Sequence, residues 1–90
     1  MSYFIKKLYN EQRGFVDFHF NGFNTICCGT KFHITVAGCK GEHCHFTMQE
    51  AKGGWEIIHA PKPTEWILHF ENELSRAINE HIEEVVHAMA

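Results

Sequence analysis

The chain lacks the features that mark membrane, secreted and nucleic-acid-binding proteins. No window approaches the roughly 18 apolar residues of a membrane-spanning helix. Residues 1–8 show neither the apolar stretch nor the small-residue cleavage site of a signal peptide. No run of five or more basic residues occurs, and the formal net charge is −3. We therefore expect a cytoplasmic protein that binds neither membranes nor nucleic acids.

The cysteines are few, and their context argues against a disulfide framework. They number four and stand at positions 27, 28, 39 and 44. Two disulfides would suit a small secreted domain, but no secretory segment is apparent. We therefore expect free thiols, with Cys44 acting as a small core residue.

Apolar bulk sufficient for one core is present. Of the 90 residues, 44% are hydrophobic, and they include eight phenylalanines and two tryptophans. A chain of this size has no room for a second domain, so residues 1–90 are taken as one. Apolar and polar residues alternate in short stretches, as in antiparallel sheets with one buried face. The predicted strands are residues 3–9, 15–20, 31–37, 42–49 and 55–59.

The predicted connections decide whether a pocket exists. Gly and Cys residues at 38–41 indicate a tight turn, and residues 22–30 indicate a long loop. If that loop closes over the sheet, it encloses the outer face; if not, the face stays open. In the last strand, Trp55 and Ile57 are predicted to point inward, which takes His59 to the inner face as well.

The C-terminal third predicts one long amphipathic helix. Thr64 is the expected N-cap after two prolines, and apolar residues then recur at helical spacing. The apolar stripe comprises Ile67, Phe70, Leu74, Ala77, Ile78, Ile82, Val85 and Met89. A helix of about 25 residues spans roughly 37 Å, whereas the strands span roughly 20–24 Å. The uncovered end predicts a homodimer formed through this helix.

The predicted fold class is therefore α+β. We expect a four- or five-stranded antiparallel β-meander with the long C-terminal helix packed on one face. Residues 3–9 are expected to form an edge strand.

Histidines recur on the predicted outer face of the sheet. Outward positions include His19, His33, His43 and His45. A three-residue turn at 38–40 would set His33 opposite His45 and Thr35 opposite His43. The preceding connection would set His19 opposite His33. The expected result is a row of imidazoles across three strands.

One interpretation of the row is a metal site. His43 and His45 form an H-x-H pair, and His33 supplies a third imidazole from the next strand. This local arrangement resembles the three-histidine zinc site of carbonic anhydrases, which implies zinc with an open position for water. Hydrogen-bond acceptors that orient the metal-bound imidazoles would then come from Asp17, Thr35 and Gln49.

A second interpretation is phosphoester chemistry. His33-Ile-Thr-Val36 and His45-Phe-Thr-Met48 are two H-x-T-hydrophobic tetrads. They resemble the paired motifs of the two-histidine (2H) phosphoesterase superfamily. The resemblance implies that His33 and His45 act as acid and base, and that the hydroxyls of Thr35 and Thr47 bind phosphate.

The third interpretation is a small homodimeric binding or interaction module with a histidine-lined open sheet face. Antiparallel sheets commonly leave one face wet, and polar residues other than histidine also lie there. Asp17, His19, Thr35 and Thr47 complete the candidate ligand face. Whether the chain is an enzyme is left open by the sequence.

Overall fold

The computed structural model describes residues 3–26, 29–37, 44–58 and 65–89. The elements are β1 (Tyr3–Asn10), β2 (Gly14–Thr25), β3 (Gly29–Val36), β4 (His45–Ala51), β5 (Gly54–Ile57), α1 (Glu65–Leu68) and α2 (Glu71–Met89). The five strands pair antiparallel in chain order to form one sheet. The α+β class and the meander are thus confirmed, and β1 is an edge strand as expected.

The inner face of the sheet is apolar because the side chains alternate along each strand. Its buried residues include Val16, Phe18, Phe20, Phe32, Ile34, Val36, Phe46, Met48, Trp55 and Ile57. The helices cover this face with Ile67, Leu74, Ala77 and Ile78. Each large side chain buried in this way contributes about 1.5–3 kcal/mol of transfer free energy. The outer face is left to polar residues and a few exposed apolar ones.

A polar stripe on α2 closes the edge of the sheet at β5. The backbone N–H of Ile57 donates to a Glu71 carboxylate oxygen (2.8 Å), and that of Trp55 donates to Ser75 Oγ (2.9 Å). The Trp55 indole N–H donates to the side-chain oxygen of Asn79 (3.1 Å). Four helical residues rise about 6 Å, which matches the roughly 6.7 Å between alternate strand residues. The helix thereby replaces the missing neighbouring strand.

The approach of α2 to β5 requires glycine at position 54. A Cβ atom built there would lie 2.7 Å from Ser75 Oγ. That oxygen is held by its hydrogen bond to the Trp55 N–H, so it does not move away freely. Gly54, the first residue of β5, is therefore a packing residue.

The predicted long amphipathic helix packs on the sheet as α2, which confirms it, but it is shorter than the expected 25 or so residues because a break at His69 and Phe70 separates α1 from α2. α1 ends at Leu68, and the Phe70 N–H donates to the carbonyl of Ile67 (2.9 Å), which tightens the last turn. The break sets Phe70 5.7 Å from Phe18, measured between ring centroids, in an edge-to-face contact. Aromatic packing on the sheet thus overrides helical continuity. Thr64, the expected N-cap, lies outside the described residues.

The long loop predicted for residues 22–30 is also wrong. β2 continues to Thr25 and β3 begins at Gly29, so only residues 26–28 lie between them. Gly29 adopts a φ of 78°, and Thr25 Oγ1 donates to its carbonyl (2.7 Å). Asn24 and Thr30 pair across the strands with a side-chain hydrogen bond of 2.8 Å. The described part of this segment extends the sheet and does not cover the outer face.

The expectation of free thiols is wrong for Cys44, which is disulfide-bonded. Its side chain is buried, as predicted. The other three cysteines of the sequence lie outside the described residues.

None of the helices in the described part of the chain has the length and apolar content needed to cross a bilayer.

Candidate functional site

The predicted ligand-face residues do share the outer face of the sheet, with one exception that the structure does not describe. Those on the face are Asp17, His19, His33, Thr35, His45 and Thr47. His43 lies outside the described residues, and so does His59. Their inner-facing neighbours, such as Phe46 and Met48, are buried, so the face assignment follows from strand alternation.

The register between β3 and β4 differs from the prediction by two residues. Thr35 lies opposite His45, and His33 lies opposite Thr47. The Val36 N–H donates to the Cys44 carbonyl (2.8 Å), so residues 37–43 connect the strands instead of the expected 38–40. A shift of two keeps every side chain on its face. The predicted direct opposition of His33 and His45 is therefore wrong, although both remain on the outer face.

The observed register brings the two H-x-T motifs into a compact group, which we call the His/Thr cluster (His33, Thr35, His45 and Thr47). Each histidine stands beside the threonine of the other motif, so the pairing has a local two-fold symmetry about a point midway between Ile34 and Phe46. His33 Nδ1 lies 3.4 Å from Thr47 Oγ1. The two imidazole ring centroids are 5.4 Å apart across the diagonal, with the ring planes tilted by 40°.

The electrostatics of the cluster favour the neutral form of the His33 imidazole. Partial burial lowers the pKa of His33 from its ordinary value of 6.5, and the nearby His45 lowers it further by charge repulsion. A neutral imidazole has one nitrogen that donates and one that accepts a hydrogen bond. The pair can therefore act as acceptor and donor towards one bound group.

His19 and Asp17 lie on the same face but are not part of the cluster. His19 pairs with Thr35 across β2 and β3, which corrects the predicted pairing with His33. Its Nδ1 is hydrogen-bonded to the Tyr3 hydroxyl on the other side. Asp17 lies opposite Lys7 on β1. The expected row of three imidazoles is therefore not formed. His33 and His45 lie together, whereas His19 is hydrogen-bonded to Tyr3 of β1.

A metal centre is not assembled by the described residues. No three His, Cys, Asp or Glu side chains in the described part of the chain are grouped so as to hold an ion. His33 and His45 supply two imidazoles, and His43, the expected third ligand, lies outside the described residues.

Two features of the surface were missed from the sequence. The first is a group of exposed apolar side chains on the outer face of β1 and β2, comprising Tyr3, Ile5, Tyr9 and Phe15. The second is a cavity of about 310 Å³ between the inner face of the sheet and α2. The cavity was missed because its β2 and β3 walls fall in the segment predicted as a loop. Continuing the alternation of Phe18 and Phe20 to Gly22 and Asn24 would have placed these residues on the inner face.

No protein family, no curated protein and no solved structure matches the chain.

Proposed function

We propose that the protein is a small homodimeric binding module that holds an oxyanion, such as a phosphate ester, on the open face of its sheet. The ligand contacts the His/Thr cluster. The observation that carries the proposal is the β3–β4 register, which sets a histidine beside a threonine twice within one small area. Two hydroxyls and two imidazoles then converge as hydrogen-bond donors from both strands.

Charge supports an anionic ligand. Repulsion from His45 contributes to the lowered pKa of His33, which means that two protonated imidazoles at this distance repel each other. An anion bound between them offsets that repulsion and favours protonation. Binding and proton uptake are consequently linked, and the affinity should increase as the pH falls towards and below 6.5.

The test is a titration with sulfate, whose charge does not change between pH 5.5 and pH 7.5, unlike that of phosphate. We expect a millimolar dissociation constant at pH 7.5 and binding about fivefold tighter at pH 5.5. Histidine ring proton shifts in NMR spectra locate the site. His45→Gln should weaken sulfate binding and reduce its pH dependence, because only His33 remains to take up a proton, whereas His69→Gln, a change at an exposed histidine between α1 and α2, should leave both unchanged.

Equal loss of binding in the His45→Gln and His69→Gln variants would show non-specific attraction and contradict the proposal. Sulfate-induced chemical-shift changes of similar size at all histidine rings would contradict it as well.

The local two-fold symmetry of the cluster favours a second candidate, hydrolysis of a cyclic phosphodiester. One neutral imidazole takes a proton from water as the water oxygen attacks phosphorus. The other, protonated, gives its proton to the ribose oxygen that leaves when the P–O bond breaks. Thr35 and Thr47 donate hydrogen bonds to the non-bridging oxygens. The resemblance to 2H phosphoesterases predicts the same roles.

Hydrolysis of a 2′,3′-cyclic nucleotide separates this candidate from simple binding. His33→Gln and His45→Gln should each reduce the rate by about 10²–10⁴, while His69→Gln should not change it. Absence of turnover alongside retained sulfate binding leaves the binding module as the function.

Zinc coordination by His33, His43 and His45 stays a third candidate. It requires His43 to complete the pair formed by the other two imidazoles. Stoichiometric zinc in the purified protein, lost in His45→Ala, is the expected result for a metal site. A metal-free protein that binds sulfate would contradict it.

The homodimer is supported by the end of α2. Ile82 and Val85 of the apolar stripe are each 38% exposed, and the neighbouring Val86 is 60% exposed, so apolar surface on α2 extends beyond the part that the sheet covers. A cytoplasmic location also stays a prediction. The Cys44 disulfide favours an oxidising compartment instead, because cytosolic thiols are kept reduced.

A further inference from the structure

A cavity of about 310 Å³ lies between the inner face of the sheet and α2. Its lining residues are Gly22, Phe23, Asn24, Thr30, Phe32, Glu50, Trp55 and Ile82. It is on the opposite side of the sheet from the His/Thr cluster and shares no residue with it. The volume is at the lower end of the range for small-molecule pockets.

The cavity exists because an inner-facing position of β2 carries no side chain. Gly22 follows Phe18 and Phe20 on that face and lies opposite Phe32. Its backbone is not among the glycines with positive φ, so glycine is not required there for conformational reasons. What glycine provides at position 22 is space. A valine or leucine would extend the core into the cavity.

The floor of the cavity is aromatic. Trp55 and Phe32 are buried and contact each other edge to face, with ring centroids 5.2 Å apart. The indole N–H of Trp55 is already used by Asn79. The Trp55 ring therefore contributes its apolar surface to the cavity and not its hydrogen-bond donor.

The rim is polar where strand alternation would place core residues. Asn24, Thr30 and Glu50 continue the inner-facing rows of β2, β3 and β4. The Thr30 hydroxyl donates a hydrogen bond to Asn24 Oδ1 (2.8 Å). Glu50 is the one charged side chain among the lining residues, and no cationic residue lines the cavity in the part of the chain that the structure describes. An anion is consequently disfavoured and a cation favoured.

We infer that this cavity binds a small organic cation with an aromatic or alkyl body, of the arylalkylamine class. The ammonium group pairs with the Glu50 carboxylate and the body lies on Trp55 and Phe32. Near an aromatic floor, a cation also gains from the electron-rich ring faces. At about 30 Å³ for each water-sized unit, the volume accommodates roughly ten non-hydrogen atoms.

The probe is phenethylamine, with 2-phenylethanol as its neutral analogue and 3-phenylpropionate as its anionic one. Binding to the full chain is followed by NMR at the Trp55 indole N–H and the Gly22 amide. We expect millimolar binding of phenethylamine, weaker binding of the alcohol and none of the acid. Glu50→Gln should weaken the amine about fivefold and leave the alcohol unchanged.

Glu73→Gln is the matched control, because it removes the same charge from an exposed site on α2 outside the cavity. It should leave amine binding unchanged. Gly22→Val should abolish binding of both amine and alcohol by filling the cavity, and circular dichroism reports whether that variant is folded. If that variant does not fold, the comparison of amine affinity between Glu50→Gln and Glu73→Gln still tests the inference.

Three outcomes would overturn the inference. The first is absence of amine binding at millimolar concentration, and the second is an equal effect of Glu50→Gln and Glu73→Gln on amine affinity. The third is amine-induced chemical-shift changes that occur at neither the Trp55 indole N–H nor the Gly22 amide. Sulfate binding at the His/Thr cluster should be unchanged in Glu50→Gln, so failure here is distinguishable from failure of the proposed function.

Discussion

His33 stands beside Thr47, with Nδ1 3.4 Å from the hydroxyl oxygen, and meets His45 only across the diagonal of the β3–β4 pair. The two imidazoles are close to each other, but each lies opposite a threonine and not opposite the other imidazole. They repel when both are protonated, yet each has a hydroxyl beside it. The arrangement suits a bound group that accepts hydrogen bonds from four side chains, and it couples binding to pH.

The first prediction concerns acid stability. The pKa of His33 is lowered in the folded state by burial and by His45, so the unfolded chain takes up this proton first as the pH falls. The His33 contribution is therefore fully present above pH 6.5 and is lost as the pH falls through the lowered folded pKa. Urea unfolding at pH 7.5 and pH 5.5 should show a smaller loss of stability in His33→Gln than in the wild type.

His69→Gln serves as the control for that measurement, since it removes an exposed imidazole outside the cluster. It should lose stability on acidification as the wild type does. In His45→Gln, the pKa of His33 should rise towards its ordinary value but not reach it, because burial is the larger cause. An identical acid response in all variants would contradict the assignment.

The sequence was informative about faces and much less so about register. Alternation placed His33, Thr35, His45 and Thr47 correctly on one face. Strand pairing must keep the apolar side chains of both strands on the same face of the sheet. Because side chains alternate with a period of two, this requirement allows any register that differs by an even number of residues. The choice among those shifts depends on the connection, which comprises residues 37–43. No local pattern distinguished that connection from a tight turn.

The segments that were predicted wrongly have tertiary causes. Residues 22–30 contain the glycine, asparagine and threonine residues typical of loops, but Asn24 and Thr30 satisfy each other and continue the strands. The predicted helix breaks at 69–70 because Phe70 packs on Phe18. Neither contact is between residues adjacent in sequence, so residue propensities and hydrophobic periodicity do not predict it.

The second prediction tests the contact between Gly54 and Ser75. Gly54→Ala should destabilise the protein by about 1–3 kcal/mol, because its methyl group would overlap Ser75 Oγ. Ser75→Ala should cost about 1–2 kcal/mol, because the Trp55 N–H loses its acceptor. In the Ser75→Ala background, Gly54→Ala should be close to neutral, since the overlapping oxygen is gone.

Chemical denaturation of the four proteins of this cycle gives the coupling free energy directly. Additive effects would mean that the helix adjusts around the methyl group, and that the close approach of α2 to β5 is not restricted by this pair.

The third prediction concerns the homodimer. Val86 is more exposed than Ile82 and Val85 on the same part of α2, and its replacement by aspartate places a charge where an apolar interface is expected. Val86→Asp should yield a monomer in sedimentation experiments, with unchanged circular dichroism. Glu83→Gln, on the same helix, is the control and should stay dimeric. A wild-type protein that is monomeric at high concentration would rule out this interface.

The fourth prediction concerns the Cys44 disulfide. One such bond uses two of the four cysteines, so no more than two thiols should react with a thiol reagent in denaturant without reductant. A reducing agent should lower the free energy of unfolding by about 2–4 kcal/mol, because the unfolded chain gains conformational freedom. Cys44→Ala should respond less to the reductant than the wild type. Four reactive thiols in protein purified without reductant would instead favour a reducing compartment, and with it the cytoplasmic location that the sequence predicts.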